Sequence, residues 1–203
     1  MPAHASSWGK AYPQLTIQCS GHQTLLDPTD TDDFNVYQVF DGLMKEFDPL
    51  FNSSSFFHIG GDEVRDTYCW EHSDKVQSWM KTKGMTTVHE VRQYFEDRVQ
   101  KIVRQNKRTP ILWEEVYDDG YHIDKTTIVN AWLGSVVRNV TADGLKLIYN
   151  YGMCVHIFHE EKFSTSLFLC MAPINIASRN SRLVSRSAES TWRVTLFVGG
   201  YLD

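Results

Sequence analysis

Two acidic side chains stand side by side at positions 62 and 63, directly after an apolar run and a pair of glycines: Phe56-Phe57-His58-Ile59-Gly60-Gly61-Asp62-Glu63. The apolar run reads as a buried strand. Two glycines at its end let the backbone turn tightly and let a ligand come close to the main chain. Neighbours on a strand face opposite ways, but past the strand end a turn can bring both carboxyls into one cleft. Held together they repel, so one tends to keep its proton while the other ionises. A protonated Glu63 beside an ionised Asp62 supplies what glycosidic cleavage demands: an acid for the leaving oxygen and an anion to steady positive charge. A solvated turn would be spelled the same way, and residue types alone leave both readings open. His58 adds a third ionisable group. No second histidine lies at ligand spacing, so neither a metal nor another cofactor is expected.

The elements that must hold this pair alternate along the chain. Val36, Val39, Phe40, Leu43, Phe47 and Leu50 fall at helical spacing. Residues 73–83 form a short helix closed by Gly84. The strongest helix spans about 86–106, where Thr87 and Glu90 have capping-box spacing and Val88, Val91, Phe95, Val99 and Ile102 make one apolar stripe. Further strands are predicted at Ile111-Leu112-Trp113, at 127–132 and at 145–149, with a short helix between 136 and 144. Strand–helix alternation with continuous apolar strands means an α/β fold with a parallel sheet. Asp62-Glu63, Trp113-Glu114 and Trp132 recur just past the strands, where a β/α barrel places its active-site face. A whole barrel needs about 250 residues; a partial (β/α)8 TIM barrel over residues 1–150 is therefore expected. From 151 to 203 the rhythm fails and the charge reverses, residues 162–203 carrying five basic and two acidic side chains against −5 overall. This stretch reads as a divergent or poorly ordered tail.

Bulk properties exclude several classes. The negative charge argues against a nucleic-acid surface. No apolar run approaches the roughly 20 residues of a membrane span, and Met1-Pro2-Ala3-His4 does not read as a signal peptide. The four cysteines form no CxxC spacing. Sequons at Asn52 and Asn139 offer two sites for N-glycosylation.

His58-Ile59-Gly60-Gly61-Asp62-Glu63-Val64 resembles the H-x-G-G-D-E motif of glycoside hydrolase family 20, the β-N-acetylhexosaminidases. Pro2-Ala3-His4-Ala5-Ser6-Ser7-Trp8-Gly9 is similar to the family's P-G-H-x-x-S-W-G stretch, with Ala3 in place of glycine. Leu112-Trp113-Glu114-Glu115-Val116 resembles its W-x-E/D segment, and Asn130-Ala131-Trp132 the one after it. The order and spacing match animal lysosomal-type enzymes. The resemblance implies that the chain runs from the end of barrel strand 3 to strand 7. It makes Glu63 the general acid and Asp62 the residue that orients the substrate's 2-acetamido group, whose oxygen is the nucleophile in this family. Trp113 and Trp132 become walls of the sugar pocket and His4 a cleft histidine. Cys19 and Cys69 match a disulfide position. The implied substrates are β-linked N-acetylglucosaminides and N-acetylgalactosaminides, in a lysosomal or secreted setting, with a homodimer for the full-length parent.

The chain also departs from the family. The arginine of the first barrel strand lies before Met1, as do the first two strands and the accessory N-terminal domain. Asn150-Tyr151-Gly152-Met153 replaces the family's W-Y-L-D continuation, and Gly199-Gly200-Tyr201-Leu202-Asp203 only echoes later motifs. The competing reading is therefore an inactive truncated isoform that at most binds sugar weakly or binds a partner. Chitinase-like chemistry is discounted because its D-x-x-D-x-D-x-E strand is missing. A sheet with open edges exposes unpaired backbone and apolar surface, so these 203 residues alone are expected to be unstable or inactive. Cooperative thermal unfolding together with hydrolysis of an N-acetylglucosaminide dye by the purified chain would overturn that expectation.

Overall fold

In the computed structural model, which describes residues 1–51, 54–134, 136–150 and 176–177, the apolar runs become strands of one sheet and the amphipathic runs pack against it. The elements in chain order are α1 (Ser6–Ala11), β1 (Thr16–Ile17), β2 (Leu25–Leu26), α2 (Val36–Phe47), β3 (Phe56–His58), α3 (Tyr68–Glu71), α4 (Asp74–Lys83), α5 (Val88–Gln105), β4 (Thr109–Trp113), α6 (Glu114–Asp118), β5 (Ile128–Ala131), α7 (Val137–Ala142), β6 (Lys146–Tyr149) and β7 (Ile176–Ala177). Strands β1 and β2 form a separate antiparallel ribbon.

Strands β3, β4, β5 and β6 lie side by side in chain order, and each neighbouring pair is parallel. A doubly wound sheet reverses its strand order at a switch point, and this sheet does not. Sequential order with helices in the crossovers is how a β/α barrel is laid down. β6 also pairs antiparallel with β7, a partner no sequence signal announced.

Local chemistry explains the helices. Asn35 caps α2 by accepting from the backbone N–H groups of Tyr37 and Gln38. Ser73 caps α4, which ends where Gly84 turns left-handed at φ +69°. Thr87 and Glu90 complete the capping box of α5 that their spacing predicted. Helices α2 and α5 then meet through Tyr37, Phe40 and Met44 on one side and Phe95, Val99 and Val103 on the other, all buried with Leu112 and Val129 of the sheet. A second cluster under α3 and α4 gathers Trp70, Trp79, Met80 and Val91 around Leu25.

Cys19 and Cys69 are joined by a disulfide, as the resemblance implied, tying the β1–β2 connection to α3. Asn139 is exposed on α7, whereas the Asn52 sequon and all of the expected tail except 176–177 lie outside the described residues. Among the described residues no helix is long and apolar enough to cross a membrane.

One half-buried charge network locks the loop after β2 onto the helices. Asp30 accepts from Trp79 Nε1 at 2.9 Å and Tyr94 Oη at 2.6 Å, with Lys83 Nζ at 3.2 Å. Burial pushes its carboxyl up, but these donors together hold it down at about 2. A carboxylate with a depressed folded pKa stabilises the fold above its ordinary value near 3.8 and loses that contribution as pH falls toward 2. Asp30→Asn should therefore lower the urea midpoint at pH 6 and make little difference near pH 2. A midpoint unaffected at pH 6 would contradict this account.

Candidate active site

The site begins where β3 ends. Ile59 N–H still reaches the carbonyl of Ile111, and then Gly60 and Gly61 carry the chain away at φ +74° and +102°. Gly61 is required twice over, because a Cβ there would also run into Cγ2 of Val116. Its carbonyl accepts from Nη2 of the buried Arg92 at 3.1 Å, so α5 grips the turn from beneath. Glu63 follows at φ +51°, and His4 stands at φ +58°. Two non-glycine residues in the left-handed region at one site mark stored backbone strain, which clusters where geometry serves function.

The turn and α1's leading segment bring three groups together. His4 Nε2 lies 3.2 Å from Asp62 Oδ2 and 3.5 Å from Glu63 Oε2. Arg65 Nη2 donates to Glu63 Oε1 at 2.7 Å. The hydrogen bond to Asp62 raises the pKa of His4, with the charges of both carboxylates adding to it. Burial pushes the Asp62 carboxyl up, but the His4 bond, the charge of the Met1 amino terminus and the charge of His4 outweigh it, and Asp62 stays below the usual carboxylate range. Sequence reasoning set Asp62 against Glu63 through mutual repulsion and took His4 from the resemblance as a cleft histidine; in the fold one nitrogen of His4 lies within reach of both carboxyls.

His58, at the end of β3, plays a different part. Burial pulls its pKa down to about 4, so it is neutral near pH 7. The backbone N–H of Gly60 donates to its Nδ1 at 3.0 Å, and Asn130 of β5 faces Nε2 at 3.4 Å. Its ring centroid sits 4.5 Å from that of Trp113. His58 thus braces the strand end and Trp113.

Trp113 closes β4 and Trp132 follows β5, so both indoles stand at the same end of the parallel sheet as the acidic pair. Their centroids are 6.1 Å apart, edge to face. Trp132 Nε1 donates to Glu115 Oε2 at 3.0 Å. The buried carboxylate of Glu114 accepts from the backbone N–H groups of Leu133 and Gly134. Burial raises the pKa of Glu115, and the charges of Asp62 and Glu114 push it further, against the Trp132 bond. Asp62 is thus near enough to be felt electrostatically at the aromatic wall. Among the described residues, His4, Asp62 and Glu63 offer ligand atoms within 4.8 Å of one another, a spacing that a cation could use. Hydrogen bonding within the trio accounts for the same spacing.

Sequence reasoning passed over Arg92, Glu114 and Glu115 as working parts. The two glutamates directly follow Trp113, so their place in that motif was the available signal. Arg92 carried none, because its partner lies 31 residues away.

Comparison with known proteins places these features in context. The family described as "Glycosyl hydrolase family 20, catalytic domain" matches residues 1–167. Beta-hexosaminidase subunit A2 of Dictyostelium discoideum is 37% identical over 153 residues, covering 74% of this chain and 28% of the relative. Beta-hexosaminidase 3 of Arabidopsis thaliana is 37% identical over 150 residues, covering 73% and 27%. The chain thus spans little more than a quarter of the length of these relatives. The crystal structure of the exo β-N-acetylglucosaminidase of Vibrio harveyi, in complex with N-acetylglucosamine, superposes with a TM-score of 0.64 at 22% identity, covering 75% of this chain and 25% of that one. That likeness shows the fold.

The His4–Asp62 pair has a measurable signature. His4, with its pKa raised, keeps the charged contact fully below its ordinary 6.5 and loses it as pH rises through the higher folded value. At the other end the contact goes as Asp62 protonates below 3.8. NMR titration should therefore find one histidine titrating above 6.5, and Asp62→Asn should return that midpoint toward or below 6.5. An unshifted histidine in the parent protein would remove the pair from the site.

Proposed function

The chain belongs to glycosyl hydrolase family 20, and from that premise we propose that its site removes terminal, non-reducing N-acetyl-D-hexosamine residues from β-N-acetylhexosaminides. The observation that carries the reading is the trio His4, Asp62 and Glu63, gathered within hydrogen-bonding reach at a strand end. Such a cluster suits substrate-assisted, retaining catalysis. Glu63 acts as the general acid and gives its proton to the glycosidic oxygen as the bond to the anomeric carbon breaks. The substrate's own acetamido oxygen attacks that carbon from the opposite face, an intramolecular step that gains from proximity. Asp62, kept ionised by His4, accepts from the acetamido N–H, orients the group and stabilises the cationic ring that forms. Water then opens the ring, with Glu63 returning as base, and the two inversions restore the β configuration. Trp113 and Trp132 wall the pocket, one ring edge against the other's face, so that the acetamido methyl and the sugar face leave water.

The family resemblance supports finer parts of the same proposal. The described sheet corresponds to the stretch from the end of the third barrel strand to the seventh. The parent protein is of the animal lysosomal type, lysosomal or secreted, glycosylated at Asn52 and Asn139, and a homodimer. The disulfide between Cys19 and Cys69 fits an oxidising compartment.

The test is hydrolysis of 4-nitrophenyl N-acetyl-β-D-glucosaminide by the purified chain: turnover overturns the expectation that these residues alone are inactive, and no turnover by it or by its Glu63→Gln variant favours the inactive-fragment reading. Glu63→Gln should reduce kcat by about 10²- to 10⁴-fold, the usual weight of a general acid. The corresponding glucoside, which carries a hydroxyl in place of the acetamide, should not be cleaved. Equal turnover of both glycosides would sink the substrate-assisted mechanism, and full activity in Glu63→Gln would sink the assignment of the acid.

A further inference from the structure

Residues 59–67, which carry Asp62 and Glu63, form no helix or strand. They have no ladder of their own: within the loop Arg65 N–H donates to the Glu63 carbonyl at 2.9 Å, and the remaining peptide groups need partners from other segments. The connection between β1 and β2 lies against them, and Gln23 in that connection meets the loop with both ends of its amide. Nε2 of Gln23 donates to the carbonyl of Glu63 at 2.9 Å. Oε1 accepts from the backbone N–H of Arg65 at 3.2 Å and of Asp66 at 3.4 Å. A primary amide has one donor side and one acceptor side, so it can stand in for a peptide of a missing neighbour strand. The same connection is fastened three times more, by His22 Nδ1 at 2.8 Å from Asp66 Oδ2, by the Gln23 backbone N–H donating to the same oxygen at 3.4 Å, and by the Cys19–Cys69 disulfide.

Glu63 needs such a clamp. Its φ of +51° is a conformation that an L side chain holds only when its surroundings over-determine it. His4 and Arg65 reach its carboxyl, whereas Gln23 holds its carbonyl and the backbone N–H groups of Arg65 and Asp66.

We propose that Gln23 is a positioning residue for Glu63, fixing the backbone from which the acid projects so that its proton is aimed at the leaving oxygen. This rests on the reading of Glu63 as general acid. A misaimed acid penalises substrates whose leaving oxygen must be protonated and spares those whose leaving group departs as a stable anion. A general loss of structure would penalise both alike.

Gln23→Ala removes the three bonds and leaves Asp62, Glu63 and the disulfide in place; Gln23→Met, which keeps the length of the side chain, serves if the alanine variant fails to fold. For a methyl β-N-acetylglucosaminide, kcat/KM, which reads the bond-breaking step and not the later water step, should fall by about ten- to a hundredfold, while kcat/KM for the 2,4-dinitrophenyl glycoside stays within about threefold. Hydrogen exchange at the amides of Arg65 and Asp66 should accelerate with the thermal midpoint unchanged. Equal losses on the two glycosides, or unchanged exchange at both amides, would overturn the proposal. If the parent chain cleaves neither glycoside, the glycosidase reading fails, and the exchange measurement alone then decides whether Gln23 holds the loop.

Discussion

Everything at this site depends on how the chain leaves β3. A strand that continued straight would send Asp62 and Glu63 to opposite faces, one into the core and one toward solvent. The left-handed turn through Gly60 and Gly61 cancels that alternation and delivers both carboxyls to the sheet end. The turn is steric as well as conformational, since Val116 occupies the space a side chain at Gly61 would need. Its position is electrostatic too, because the guanidinium of Arg92 holds the Gly61 carbonyl from inside the fold.

Two carboxylates brought together in this way cost free energy unless something compensates them. His4 does so from a separate part of the chain, reaching Asp62 and Glu63 with one ring nitrogen. The compensation is uneven: Asp62 is the more enclosed of the two and has the shorter contact with His4. Two adjacent acids thereby acquire different surroundings, the physical condition for giving them different roles. The aromatic side follows the same logic, for Glu115 holds the Trp132 indole by its N–H and Glu114 holds the backbone just beyond it. Adjacent glutamates at the end of β4 thus fasten a side chain and a main chain after β5.

The sheet supplies the rigid end against which these irregular segments are set. Strand β5 is buried throughout and β4 at alternate residues, with Leu112, Val129 and Ala131 out of solvent. The segments carrying the chemistry have no such ladder and are held by long-range side-chain bonds, a disulfide and an amide clamp. Precision at the site is therefore a property of contacts between segments distant in sequence, which is how loops on a rigid scaffold acquire function.

Much of this architecture was legible in the residues themselves. Strand runs at Phe56–His58 and Ile128–Ala131, the Thr87–Glu90 cap and the Gly84 stop are short-range signals, and they formed within a residue or two of where they were read, although the Phe56–His58 run, read as a buried strand, is exposed at Phe56 and only half-buried at Phe57 and His58. The acidic pair and the two tryptophans announced themselves through motif spelling. α1, α3 and the two-residue strands β1 and β2 did not, since such short elements contain too little periodicity to read. Nor did Arg92, Gln23 or the bracing role of His58, because nothing in the neighbours of a glutamine at position 23 says that a loop forty residues later will lie against it. Hydrophobic period, capping and turn chemistry are local and survive in one dimension. The partner of a charge or an amide is chosen only when the chain closes on itself, and so the list of acids belonged to the sequence while their environments belonged to the fold.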